Sequence, residues 1–161
     1  MSPDQSAKST AEISLTAASA QDIDTLLPMM LAFNLGELTE VDPRTLRPAL
    51  ARLLADEALG RVWLFQSDSE TVGYAVLTFG YDLEFAGRDA FVTEIYLCPG
   101  ARGKGIGRVF LAKIETAAAD LDAGAIHLMV RPENRPAVAL YASAGYVSPP
   151  RTFLSKRFVR K

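Results

Sequence analysis

One acid, Glu94, stands inside the otherwise apolar run Phe91-Val92-Thr93-Glu94-Ile95-Tyr96-Leu97. A carboxylate is costly to bury there without a partner or water, so its presence points to proton transfer, with a salt bridge or a hydrated notch as the structural alternative. Directly downstream, Arg102-Gly103-Lys104-Gly105-Ile106-Gly107-Arg108 joins this extended segment to one with helical spacing. Glycines at Gly103, Gly105 and Gly107 let the main chain curl, so that several N–H groups converge on an anion at the positive end of a helix. Arg102, Lys104 and Arg108 add charge; for Lys104 and Arg108, plain solvation is an equal alternative.

Two familiar phosphate loops are excluded by spacing. A Walker A loop fails because Cys98 stands where its first glycine belongs and Gly105 where its hydroxyl belongs. A dinucleotide fingerprint fails because Arg108 and Phe110 occupy the positions of its third glycine. The single histidine, His127, lies between Ile126 and Leu128 and reads as a satisfied sheet residue. The single cysteine, Cys98, has no histidine near it in sequence, so it is not read as a nucleophile, and no His/Cys cluster suggests a metal.

The elements that must position these groups follow from periodicity. Glu12 to Thr16 alternates as a strand; Ser19 and Asp22 precede a helical run through Ile23, Leu26, Leu27 and Met30; Asp42-Pro43 opens another through Leu46, Leu50 and Leu53. Val62 to Phe65 and Val72 to Phe79 form a hairpin across Ser67-Asp68-Ser69-Glu70, and Phe91 to Leu97 is the next strand. A helix through Val109 and Leu121, a strand Ala125 to Val130, a helix through Ala137 and Ala144, and strands Tyr146 to Ser148 and Phe153 to Val159 complete the order. Such an order predicts a single mixed α/β domain over residues 11–161 after a flexible arm, residues 1–10. The 161 residues, 49% hydrophobic and with net charge −2, suit one soluble domain; no field favours nucleic acid or a membrane surface, and no apolar run is long enough for a span. A cytoplasmic location is expected.

Arg102-x-x-Gly105-x-Gly107 between a strand and an amphipathic helix resembles the [RQ]-x-x-G-x-[GA] motif of the GNAT superfamily of N-acyltransferases. Leu97 and Pro99 upstream, and Asn134, Leu140-Tyr141 and Gly145-Tyr146 downstream, stand at that family's spacing. The resemblance implies a central, mostly antiparallel mixed sheet of about seven strands, flanked by about four helices and splayed between the fourth and fifth strands. It implies acetyl-CoA as cofactor, with the pyrophosphate on Arg102 to Arg108, the pantetheine arm along Ile95, Tyr96 and Leu97, and a further contact from Asn134, itself also a good helix N-cap. It implies Glu94 as general base and Tyr141 as proton donor to the departing thiolate, with core packing as the alternative for Tyr141.

The acceptor side in this family comprises the first two helices and a central loop, which here carry Phe33, Glu37, Tyr81 and Glu84 beside Glu40, Asp82 and Phe85. Carboxylates among aromatics suit a cationic amine. The reading is therefore acetyl transfer to a small primary amine by direct attack, in a monomer or homodimer. A protein or peptide acceptor, and a silent coenzyme A-binding sensor, are the alternatives.

Overall fold

The computed structural model describes residues 12–158; the expected arm, residues 1–10, lies outside them. The described residues fall into two compact units, one ending at Met129 and the other beginning at Val130.

The first unit runs β1 (Ile13–Ala17), α1 (Ile23–Gly36), α2 (Pro43–Ala55), β2 (Gly60–Ser67), β3 (Glu70–Asp82), β4 (Gly87–Leu97), α3 (Ile106–Asp120) and β5 (Ala125–Leu128). Local chemistry starts the elements where the sequence predicts. Ser19 and Asp22 form a reciprocal capping box ahead of α1, and Asp42 caps α2 by accepting from the Arg44 N–H, with Pro43 at the first helical position. Asp68 and Ser69 turn the β2–β3 hairpin at φ of 51° and 69°, the left-handed pair whose twist matches the strands it joins. The sheet order is β1-β2-β3-β4-β5. Its first three pairings are antiparallel, and α3 supplies the crossover to the parallel β4–β5 pair.

Alternation along the strands gives the sheet two buried faces. On one, Phe65, Leu77, Ala90 and Val92 pack against Phe110 and Ile114 of α3, with the Phe65 and Phe110 rings stacked 3.9 Å apart. On the other, Val62, Leu64, Tyr74 and Val76 pack against Leu26 and Met30 of α1 and Leu50 of α2.

A bulge in β4 sets the orientation of everything after it. Val76 faces Glu94 and Leu77 faces Val92, so Thr93 is the extra residue. Before it, Ala90 and Val92 point to the α3 face; after it, Ile95 and Leu97 do. Glu94 and Tyr96 consequently turn to the α1 face. Without the extra residue Glu94 would follow Val92 into the α3 core.

In the second unit, Asn134 caps α4 (Arg135–Ser143) by accepting from the Ala137 N–H at 3.3 Å, and Gly145 ends it at φ 93°. The strands expected over residues 146–148 and 153–159 are not found among the described residues: residues 146–158 carry no strand, Val159 lies outside the described residues, and the sheet they form has five strands rather than the expected seven. Pro149 and Pro150 remove two ladder donors, and Phe153-Leu154-Ser155-Lys156-Arg157-Phe158 offers no clean alternation to hold one face against a core. Val147, Phe153, Leu154 and Phe158 are exposed. The β4–β5 ladder ends at Val92 and Leu128, while β4 continues to Leu97.

Candidate active site

Glu94 is partly buried on the α1 face of the sheet, and its neighbours explain how an acid is kept there. The Tyr74 phenol donates to Glu94 Oε2 at 2.6 Å. Asn34, on α1, also acts on the Glu94 carboxyl in the direction that favours its charged form. Burial raises the Glu94 pKa above the ordinary carboxylate range, and Tyr74 and Asn34 pull back against that rise. Tyr74 is completely buried, and its pKa is driven far upward by burial first and then by the nearby Glu94 charge, so it stays a protonated donor. The result is a carboxyl group poised to hold or release a proton, held in place by the neutral Tyr74 donor.

Neither Tyr74 nor Asn34 was singled out by the sequence reading. Asn34 continues the buried stripe Leu26, Met30, Asn34 on α1, spaced by four, and its Nδ2 also donates to the Met30 carbonyl at 2.8 Å. A polar residue at the end of an apolar stripe is a signal that could have found it. Tyr74 alternates with Val76 on the face that Glu94 joins only through the bulge.

Three residues beyond Glu94 the backbone itself becomes a donor. The Cys98 N–H bonds the Val72 carbonyl at 2.8 Å, so along the alternating ladder the main-chain groups of Leu97 point away from β3. Arg102 confirms the direction: its Nε donates to the Leu97 carbonyl at 2.9 Å, and its guanidinium lies 5.3 Å from the Tyr96 ring centre. Arg102 thus ties the loop to the end of β4. Thr93 to Leu97 have no partner in β5.

The loop that follows has the backbone its glycines predict. Gly103 and Gly105 take left-handed conformations, at φ 72° and 76°, and Gly105 is the N-cap of α3 without a side chain to occupy the cap. Ile106 and Gly107 open the helix, leaving N–H groups at its positive end. A hollow of about 820 Å³ borders this loop, lined by Ile13, Val72, Cys98, Lys104, Gly105 and Ile106 among others. Glu94, Ile95, Tyr96, Leu97 and the loop through Arg108 are therefore one continuous stretch of the first unit.

The remaining sequence-predicted residues are dispersed. Phe33 packs in the α1 cluster with Tyr74 and Tyr96, and Glu37 ends α1. Tyr81 lies toward the far end of β3, opposite Arg88, and alternation with Leu77 and Phe79 sets it on the α3 side, away from the Glu94 face. Glu84 sits in the turn beyond β3. Asn134 and Tyr141 belong to the second unit, where Tyr141 is buried and its ring centre lies 5.7 Å from that of Tyr146.

Known proteins resemble this chain in sequence and in fold. An uncharacterized N-acetyltransferase of Mycobacterium tuberculosis is 36% identical over 87 residues, 53% of each chain. The thialysine N-epsilon-acetyltransferase of Bos taurus is 34% identical over 74 residues, 46% of this chain and 43% of that one. The chain spans about half the length of these curated relatives. Among solved structures, an integron cassette protein from the mobile metagenome of Cole Harbour Salt Marsh superposes with a TM-score of 0.79 at 28% identity, covering 91% of both chains. A predicted acetyltransferase from Clostridium acetobutylicum, solved with acetyl-CoA, superposes with a TM-score of 0.74 at 20% identity over 90% of this chain and 96% of its own. The acetyltransferase (GNAT) family matches residues 27–146, from within α1 to just beyond α4, and the chain belongs to that family.

Proposed function

We propose that the protein is an N-acetyltransferase that transfers the acetyl group of acetyl-CoA to the primary amine of a small, cationic molecule by direct attack. The observation that carries the reading is the acid Glu94, held by Tyr74 on the strand whose free end leads into the glycine loop. The residues present fit the cofactor. The left-handed backbone at Gly103 and Gly105 and the uncapped start of α3 suit a pyrophosphate, with Lys104 and Arg108 beside it. The edge of β4 at Ile95 to Leu97, unpaired by β5, suits an extended pantetheine amide chain. When bound, acetyl-CoA supplies the activated acetyl group.

The chain's residues do the rest. Glu94 takes a proton from the ammonium form of the acceptor, directly or through water, because only a neutral amine is nucleophilic. The outward Leu97 N–H donates to the acyl oxygen as negative charge gathers there. Tyr141, placed in this role by family resemblance, returns a proton to the leaving thiolate. The thialysine enzyme among the relatives supports a small amine as acceptor. Thiol release from acetyl-CoA, measured over a panel of small amines and peptides, tests the reading. Turnover of cationic small amines supports it; cofactor binding without turnover of any acceptor would leave a sensor instead.

A further inference from the structure

On the same face of the sheet as Glu94, nearer the start of β4, a second carboxylate is short of donors. Asp89 Oδ1 is buried without a hydrogen-bond partner among the described residues. Among the described residues its Oδ2 faces His127 Nε2, at 3.5 Å, beyond ordinary hydrogen-bond length. The side chain as a whole keeps 18% exposure and that of His127 34%, so the pair is reachable from outside although Oδ1 is sealed. Gly80, opposite Asp89 in the ladder, makes room for the carboxyl: a Cβ there would stand 2.5 Å from Oδ1. The rings of Phe85 and Phe91 flank His127, with centres 5.2 Å and 6.3 Å from the imidazole. A largely buried carboxylate with one distant partner is costly to keep and calls for a further donor. Aromatic rings beside its histidine neighbour favour a cation for that donor.

We infer that Asp89, seated over Gly80 beside His127, is a second cation subsite that binds the distal ammonium of a diamine acceptor while Glu94 receives the reacting amine. This deepens the acetyl-transfer reading and rests on it. Alternation before and after the Thr93 bulge puts Asp89 and Glu94 on one face, and their Cα atoms lie roughly 13 Å apart at about 3.3 Å per residue with the bulged residue discounted. A flexible α,ω-diamine can set one ammonium at each carboxylate across that interval, once the hydrogen bond at each end is counted.

The test compares kcat/KM for 1,8-diaminooctane and octylamine in the wild-type chain, Asp89→Asn and Gly80→Ala. Asp89→Asn removes the charge without changing shape, and Gly80→Ala keeps the charge but displaces the carboxyl. The wild-type chain is expected to prefer the eight-carbon diamine over octylamine by about tenfold or more, the scale of one charge-assisted contact out of bulk water. Both substitutions should bring that ratio close to one. A wild-type ratio near one, or a ratio unchanged by both substitutions, overturns the subsite while leaving acetyl transfer standing. A chain that acetylates none of these amines overturns the subsite together with the reading beneath it.

Discussion

Tyr74 and Glu94 meet diagonally across the β3–β4 ladder, phenol to carboxylate at 2.6 Å, although the register sets Tyr74 opposite Tyr96 and Glu94 opposite Val76. The contact exists because the Thr93 bulge turns Glu94 onto the face that Tyr74 already occupies. Its direction matters for catalysis, since a hydrogen bond donated to the carboxylate favours the charged, proton-accepting form. Tyr74→Phe is therefore expected to raise the Glu94 pKa further and move the acid limb of kcat/KM to higher pH. The lost hydrogen bond should also cost about 1 kcal/mol of stability. A profile superimposable on that of the wild-type chain would detach Tyr74 from the proton-accepting group.

The raised Glu94 pKa has a consequence for stability that requires no substrate. The folded chain binds this proton more tightly than the unfolded chain does. Its contribution is fully present below the unfolded carboxylate pKa and is lost as pH rises through the folded value. Glu94→Gln has nothing to titrate there. Thermal melts across that window should show the wild-type chain losing stability relative to Glu94→Gln as pH rises; a constant difference would contradict the burial-driven shift.

Gly105 combines two requirements, a left-handed backbone at φ 76° and space at the start of α3. Gly105→Asp places a negative charge where the cofactor's own would sit, and should abolish acetyl-CoA binding by calorimetry while the fold persists by circular dichroism. Arg102→Ala should weaken binding less, because the guanidinium is partly engaged with the Leu97 carbonyl. Retained affinity in Gly105→Asp would remove the loop from the cofactor site.

Tyr141→Phe should leave acetyl-CoA affinity nearly unchanged, slow turnover and abolish or shift any alkaline limb that reports phenol ionisation. If kcat and its alkaline limb both survive, Tyr141 is a packing residue of α4.

The fold was largely readable because its signals are local. The capping residues Ser19 and Asp42, the polar turn Asp68-Ser69, and the switch from extended to helical spacing across Gly103 to Gly107 each depend on a few adjacent residues. What was missed depends on pairing. Strict alternation through Val92, Thr93, Glu94 and Ile95 would set Glu94 beside Val92, and only the adjacent polar pair Thr93-Glu94 hints at the bulge. Tyr74 and Asn34 reach Glu94 from β3 and α1, at sequence separations that periodicity does not connect. The residues after Tyr146 carry apolar side chains in a strand-like mixture, yet the paired prolines and the run Ser155-Lys156-Arg157 leave no face to bury.

The central claim is that Glu94 is the proton acceptor of an amine acetyltransferase, and the pH–rate profile of Glu94→Gln against a confirmed amine tests it most directly. The variant should bind acetyl-CoA as the wild-type chain does and turn over about 10² to 10⁴ times more slowly near neutral pH, the range associated with losing a general base. The deficit should narrow as pH rises, because more of the amine is then already neutral. A Glu94→Gln profile that matches the wild-type one in height and shape would contradict the account.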